Sequence, residues 1–212
     1  MPSRSVRRSR ALKKRLCALM MTLILPLSAC GGKGSGNEAE EALSRIRGQY
    51  LEMTGCSGHA ELTADYGQRV YSYGVDFSWQ REGETLLTLT APEIVAGTVA
   101  HIAAGETALE YDGVMLETGP LNAAGLSPVD ALPALLQYAR EGFAAECVLE
   151  EGSSRFHVVC RDPEKDPGAG PEARLWFEPE TGALLQGELS EAGVTVIQCQ
   201  FSDFTMASAP EG

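Results

Sequence analysis

The residues that could do chemistry are six cysteines, three histidines and 29 aspartates and glutamates. His59, His101 and His157 each fall in a stretch that reads as strand, with no second histidine or carboxylate at a metal-ligand spacing. No Gly-x-Ser-x-Gly, His-Glu-x-x-His or glycine-rich phosphate loop is present, so the common nucleophilic, zinc-hydrolase and phosphoryl-transfer chemistries are not signalled. Asp162, Glu164 and Asp166 have the alternation of a calcium loop, but Pro163, Pro167 and the placing of Gly168 spoil it. The other acids read as a solvated surface. The expectation is a protein that is not an enzyme and uses no metal or cofactor.

One cysteine has a context that does imply chemistry. A basic stretch ending at Arg15 is followed by the apolar run Leu16 to Leu27 and then by Ser28-Ala29-Cys30. The run is shorter than the roughly 20 residues a bilayer-spanning helix needs, and with its basic flank it reads as a secretory signal. Leu27-Ser28-Ala29-Cys30 is similar to the bacterial lipobox, in which small residues precede a cysteine. That resemblance implies that the Cys30 thiol takes a diacylglycerol and that a lipoprotein signal peptidase cuts before it. Two acyl chains of the palmitate kind hold a protein on a membrane, where one gives only marginal attachment. The expected place is extracytoplasmic: the outer face of the cytoplasmic membrane, or an outer membrane if the host has one.

Charge and length bound the rest. Residues 1–29 hold seven basic residues and no acid, so removing them takes the net charge from −12 to −19. Such a body is unsuited to nucleic acid and is repelled by anionic head groups. With 44% hydrophobic residues the chain is apolar enough to fold, and the portion after the leader is sized for one domain. The expected organisation is a signal peptide over 1–29, a lipidated cysteine and Gly/Ser tether over 30–37, a folded domain over 38–207 and a tail over 208–212.

Asn37 and Glu40 read as an N-cap and N3 pair opening a helix with Ala39, Ala42, Leu43, Ile46 and Tyr50 on one face. After Gly55 the period changes to two. Ala60, Leu62, Ala64 and Tyr66 alternate with polar residues, and Tyr71, Tyr73, Val75, Phe77 and Trp79 do so more clearly. Short strands come next at Leu86–Thr90, Thr98–Ala103, Ala108–Tyr111 and Val114–Glu117, the last two joined by the hairpin signal Asp112-Gly113. Ser127-Pro128 caps a second helix with Leu132, Leu135, Leu136 and Ala139 on one face, and Pro133 should kink it or delay its start. Strands at Glu146–Glu150, Phe156–Arg161, Ala173–Glu178, Leu184–Ser190 and Val194 to about Phe204 complete the chain. Sequential strands joined by tight turns indicate an antiparallel sheet, an α+β fold.

Cys56, Cys147, Cys160 and Cys199 remain once Cys17 leaves with the leader and Cys30 is lipidated. If Glu151 to Ser154 closes a hairpin, Cys147 faces Cys160 across it, a geometry a disulfide accepts. Cys56 opens the first strand and Cys199 lies in the last, so a bridge between them would staple the ends of the sheet. The alternative is that all four are buried free thiols.

Thr90-Ala91-Pro92-Glu93, Glu110-Tyr111-Asp112-Gly113, the run Leu175 to Leu185 and the ending Phe201-Ser202-Asp203-Phe204 carry a family resemblance. With them, the layout resembles the periplasmic lipoprotein-carrier (LolA-like) superfamily, which includes RseB-type regulator domains and mycobacterial lipid-carrying lipoproteins. The resemblance implies a curved antiparallel sheet forming an incomplete barrel, helices across its concave side, and a cavity that binds a lipid or lipoprotein acyl chain. Tyr71, Tyr73, Val75, Phe77, Trp79, Leu87 and Leu89 would line that cavity, with Leu132, Leu135 and Leu136 as lid. Two departures stand out. The carriers shuttle, whereas Cys30 implies an anchor, and Leu86 to Ala91 offers no arginine to hold a lid. A stationary lipid-binding role is therefore expected, with an envelope-stress sensor or protein-interaction module as the alternative. No particular protein partner is legible.

Overall fold

The periodicities resolve into eleven strands and two helices in a computed structural model, which describes residues 35–120, 125–150, 152 and 154–208. The leader, Cys30 and the tether up to Gly34 lie outside the described residues, as does the chain beyond Ser208. Helix α1 (Ser35–Glu52) begins before Asn37, so Ser35 and Gly36 are helical rather than tether. Asn37 is inside the helix instead of capping it. Its side-chain amide donates to Glu41 Oε1 at 2.7 Å, an i,i+4 contact that a helical backbone offers. The expected apolar face is buried at Ala39, Ala42, Ile46 and Tyr50.

Glu52 passes directly into β1 (Met53–Asp65), so the first strand opens at Met53 and not at Cys56. The chain continues through β2 (Val70–Gln80), β3 (Thr85–Ala91), a 3-10 turn (Glu93–Val95), β4 (Val99–Ala103), β5 (Glu106–Tyr111) and β6 (Val114–Pro120). Helix α2 (Pro128–Glu141) then leads to β7 (Ala144–Glu150), β8 (Arg155–Arg161), β9 (Glu172–Phe177), β10 (Leu184–Glu191) and β11 (Val194–Ser208). Asp112 and Gly113 have φ of 51° and 75°, as a two-residue hairpin turn requires at both central positions.

The strands form one open, curved sheet in the order β6-β5-β4-β3-β2-β1-β11-β10-β9-β8-β7. Neighbouring strands are antiparallel throughout. The first and last strands meet in the middle, β6 and β7 form the two edges, and α2 connects one edge to the other. α2 begins where Ser127 predicts: the Ser127 hydroxyl accepts from the Asp130 amide at 3.3 Å. Pro133 does not delay that start.

Burial follows the alternation. Ala60, Leu62 and Ala64 on β1, Val75 and Phe77 on β2, and Leu87 on β3 turn to the helices, while His59, Glu61 and Asp76 turn away. Tyr66, read as a further apolar position of β1, lies beyond the strand and is exposed.

Both expected cysteine pairs are corrected by register. Cys147 stands opposite Val158 and Cys160 opposite Ala144, because the β7–β8 ladder closes at Glu150–Arg155 and shifts between Ala144 and Glu146. Cys56 stands opposite Met206, whereas Cys199 stands opposite Leu62, several residues along the same ladder. All four are free thiols.

Candidate functional site

The concave side of the sheet has two unlike halves. Over β8 to β11 it is solidly filled. Leu135 and Leu136 of α2, Ile46 and Tyr50 of α1, and Phe156, Leu175, Phe177, Leu184 and Leu189 of the sheet are buried to within 2% of completely. Gly187 on β10 admits this packing: a Cβ there would sit 2.7 Å from both methyl carbons of Leu135. Tyr50 meets Phe177 edge to face at 5.5 Å between ring centroids. A void beneath the helices, bordered by Leu43, Ile46, Tyr138 and Phe177, is only about 10 Å³.

Over β2 to β5 the sheet is not filled. A cavity of about 310 Å³ is bounded by Tyr73 and Val75 of β2, Leu87 and Leu89 of β3, Ala100 of β4 and Leu109 of β5. Val95 and Thr98 close one side, and Ser127, Pro128 and Val129 at the start of α2 stand across it. Among the described residues no charged side chain lines it. The polar side chains among its described lining residues are Tyr73, Thr98 and Ser127, and the rest are apolar, so it can receive hydrocarbon. The Tyr66 hydroxyl donates to the Leu126 carbonyl at 2.9 Å and fixes the chain just before α2. Tyr71 lies outside the cavity, 38% exposed, stacked on Tyr73 with ring centroids 6.5 Å apart.

Of the ten residues expected to line the cavity or cover it, Tyr73, Val75, Leu87 and Leu89 meet there. Phe77 is drawn into an aromatic cluster, with ring centroids 5.9 Å from both Phe201 and Phe204. Trp79 sits at the end of β2 with the Arg140 guanidinium 5.7 Å above its ring. It borders a separate open groove of about 740 Å³ formed with Thr54, Arg81 and Met206. Leu132, Leu135 and Leu136 are buried core residues, and none of them lines the cavity. The residues across its top are one turn earlier, Ser127 to Val129. Ala100 and Leu109 were legible in principle, since each continues the inward alternation of its strand. Thr98 shares the face of Ala100 in the expected strand Thr98–Ala103 but is polar, and Val95, in an irregular turn, gave no such signal.

The histidines are better connected than their spacing implies, because neighbouring strands and turns supply carboxylates. On the outer face, His59 Nδ1 lies 2.7 Å from Asp76 Oδ1 and Nε2 lies 3.3 Å from Glu61 Oε1. His101 Nδ1 lies 2.8 Å from Glu84 Oε1 and Nε2 lies 3.0 Å from Glu110 Oε2. Carboxylates only accept, so both rings are suited to the doubly protonated form. Hydrogen bonding, to Asp76 first for His59 and to Glu84 first for His101, raises both pKa values. Each ring nitrogen has its own carboxylate, which makes two clamps rather than a metal site. Among the described residues no group of three or more His, Cys, Asp or Glu side chains is suited to a metal ion. His157 stacks on Trp176 at 4.4 Å, and burial lowers its pKa.

No protein-family model and no curated protein sequence matches the chain. Solved structures of similar arrangement exist. A putative outer membrane lipoprotein-sorting protein domain from Vibrio parahaemolyticus is 14% identical, with a TM-score of 0.44 over 82% of this chain and 95% of that one. A LolA superfamily protein from Nitrosomonas europaea is 10% identical, with a TM-score of 0.42 over 81% and 94%. LprF from Mycobacterium bovis is 14% identical, with a TM-score of 0.43 over 83% and 95%. Likeness at this level speaks to neither ligand nor partner. Among the described residues no helix is long and apolar enough to cross a membrane.

Proposed function

We propose that this protein is an extracytoplasmic lipoprotein, held at a membrane through lipidated Cys30, that takes a lipid or lipoprotein acyl chain into the cavity over β2 to β5 and does no covalent chemistry on it. The observation that carries the reading is the cavity of about 310 Å³ walled by Tyr73, Val75, Leu87, Leu89, Leu109 and Val129. It is at the small end of ligand sites, which run from about 300 to 1,000 Å³, and suits part of one acyl chain rather than a whole phospholipid. At about 0.8 kcal/mol per buried methylene, some eight methylenes would contribute about 6 kcal/mol before the costs of binding.

The test uses residues Gly34 to Gly212, which form a separate compact unit. Native mass spectrometry of this unit from a bacterial host should show a co-purifying acyl lipid, and Ala100→Phe, which fills the cavity from β4, should remove it. A wild-type protein that stays empty when offered fatty acid or diacyl lipid overturns the reading. For the anchor, Cys30→Ser in the full chain should shift the protein from the membrane to the soluble fraction.

A second reading, a sensor or docking module with the same fold, is supported by the filled half of the concave side, where the chain occupies its own core. Crosslinking in cells that captures a protein partner while no lipid is bound would favour it.

A further inference from the structure

Strand β6 ends the sheet among the described residues, and its first three side chains are exposed: Val114 by 70%, Met115 by 57% and Leu116 by 64%. A sheet edge carries unpaired N–H and C=O groups, which soluble proteins protect with charge, proline or a bulge. Here the protections come late. Pro120 is the last residue of β6, and the register shift lies opposite Thr107 and Ala108, leaving Val114 to Leu116 without either. Tyr111 and Val114 close the turn as partners. Alternation along an antiparallel ladder then turns the Met115 N–H and C=O to the open side.

The two faces of this edge differ. Leu116 stands beside Leu109, itself a cavity residue, and Val114 stands beside Tyr111. On the opposite face Met115 stands beside Glu110, and Glu117 comes two residues on. The charge is of one sign: Glu106, Glu110, Asp112 and Glu117 lie on this hairpin, and no Lys or Arg occurs between Arg81 and Arg140.

We propose that the β6 edge receives an extended peptide segment of a partner protein, one that alternates apolar with basic residues, as a twelfth antiparallel strand. Its apolar side chains extend the row begun by Leu109 and Leu116. Its Lys or Arg side chains lie over Glu110 and Glu117. Backbone pairing supplies affinity, and the alternation supplies specificity. A second copy of this chain is a poor occupant, since β6 against β6 brings Glu117 and its neighbours together and β7, the other edge, presents Glu146 and Glu150. The inference is independent of what fills the cavity.

The test is fluorescence anisotropy of a labelled peptide of about ten residues, alternating leucine and lysine, against the full chain. Saturable binding that weakens with added salt is expected, and the leucine–glutamate counterpart should not bind. Met115→Pro, which removes the outward N–H, should weaken binding by about tenfold or more, and Glu117→Lys should weaken it through charge alone. Thermal unfolding of each variant checks that the fold survives, and Glu117→Lys decides the matter if the proline variant does not fold. No binding by the wild type, binding unchanged in the folded variants, or concentration-dependent dimerisation lost in Met115→Pro would each overturn the proposal.

Discussion

Replacing Leu135 by alanine separates the two halves of the concave side. Leu135 is completely buried and seated on Gly187, where the sheet offers no side chain that could move into the gap. Leucine-to-alanine changes in protein cores cost about 2.7–5.0 kcal/mol, rising with the volume that fails to collapse, which places this one near 4 kcal/mol. For a chain of this size each kcal/mol moves Tm by about 2–4 °C, so Leu135→Ala should lower it by about 8–16 °C. Thermal unfolding followed by circular dichroism gives the shift, and native mass spectrometry on the same sample at low temperature gives the acyl content. That content should be unchanged, because Leu135 does not reach the cavity. A loss of stability below about 1 kcal/mol would show that the leucine is not wedged against the sheet. Loss of lipid at unaltered stability would make Leu135 a lid residue after all, and the division into filled and open halves would be wrong.

Three further outcomes are expected. In an NMR titration, His59 and His101 should lose their protons above the ordinary value of about 6.5 and His157 below it. The two clamped rings therefore contribute stability that is complete below the unfolded value and fades as pH rises through the folded ones, while His157 contributes in the opposite sense as pH falls. Asp76→Asn should lower the His59 midpoint, and an unmoved midpoint would dismiss the clamp. Burial pushes the Cys56 and Cys199 thiols up to about 12 and Cys160 to about 11, so a thiol reagent should reach half-buried Cys147 first and the others only on unfolding. Prompt labelling of Cys199, or an intact mass that reports a disulfide, would contradict this. Ser127→Ala removes the cap of α2 and should cost about 1 kcal/mol in chemical denaturation; a change within error would mean that another group satisfies the Asp130 amide.

Much of the fold was legible because the two hydrophobic periods are clean. The run Tyr71 to Trp79 alternates without a break, and Ser127-Pro128 marks a helix start that the structure keeps. The cysteine pairing was not legible, because it depends on offsets that side-chain pattern does not record. A two-residue slip preserves which face each residue occupies, so Cys147 opposite Val158 obeys the same alternation as Cys147 opposite Cys160. The lining of the cavity was half legible for a related reason. The sequence assigns Leu132, Leu135 and Leu136 to one helix face, but which part of the sheet that face covers depends on how α2 crosses from one edge to the other. It settles over β9 and β10, so the leucines join the core, and only its first turn reaches the open half. The histidine clamps escaped notice because Asp76, Glu84 and Glu110 are remote in the chain from the rings they hold.

The central seam has a consequence for how the molecule is made. β1 and β11 pair along ten residues of each strand, so the heart of the sheet is sewn from the earliest and the latest strands to emerge. Each half is a string of neighbours that zips locally, but their union must wait for the fifteen residues of β11. A chain still in synthesis thus holds two unjoined ribbons until β11 has emerged. Shortening it at the rear removes the spine of the molecule, whereas trimming the outlying hairpin of β5 and β6 merely narrows its wing.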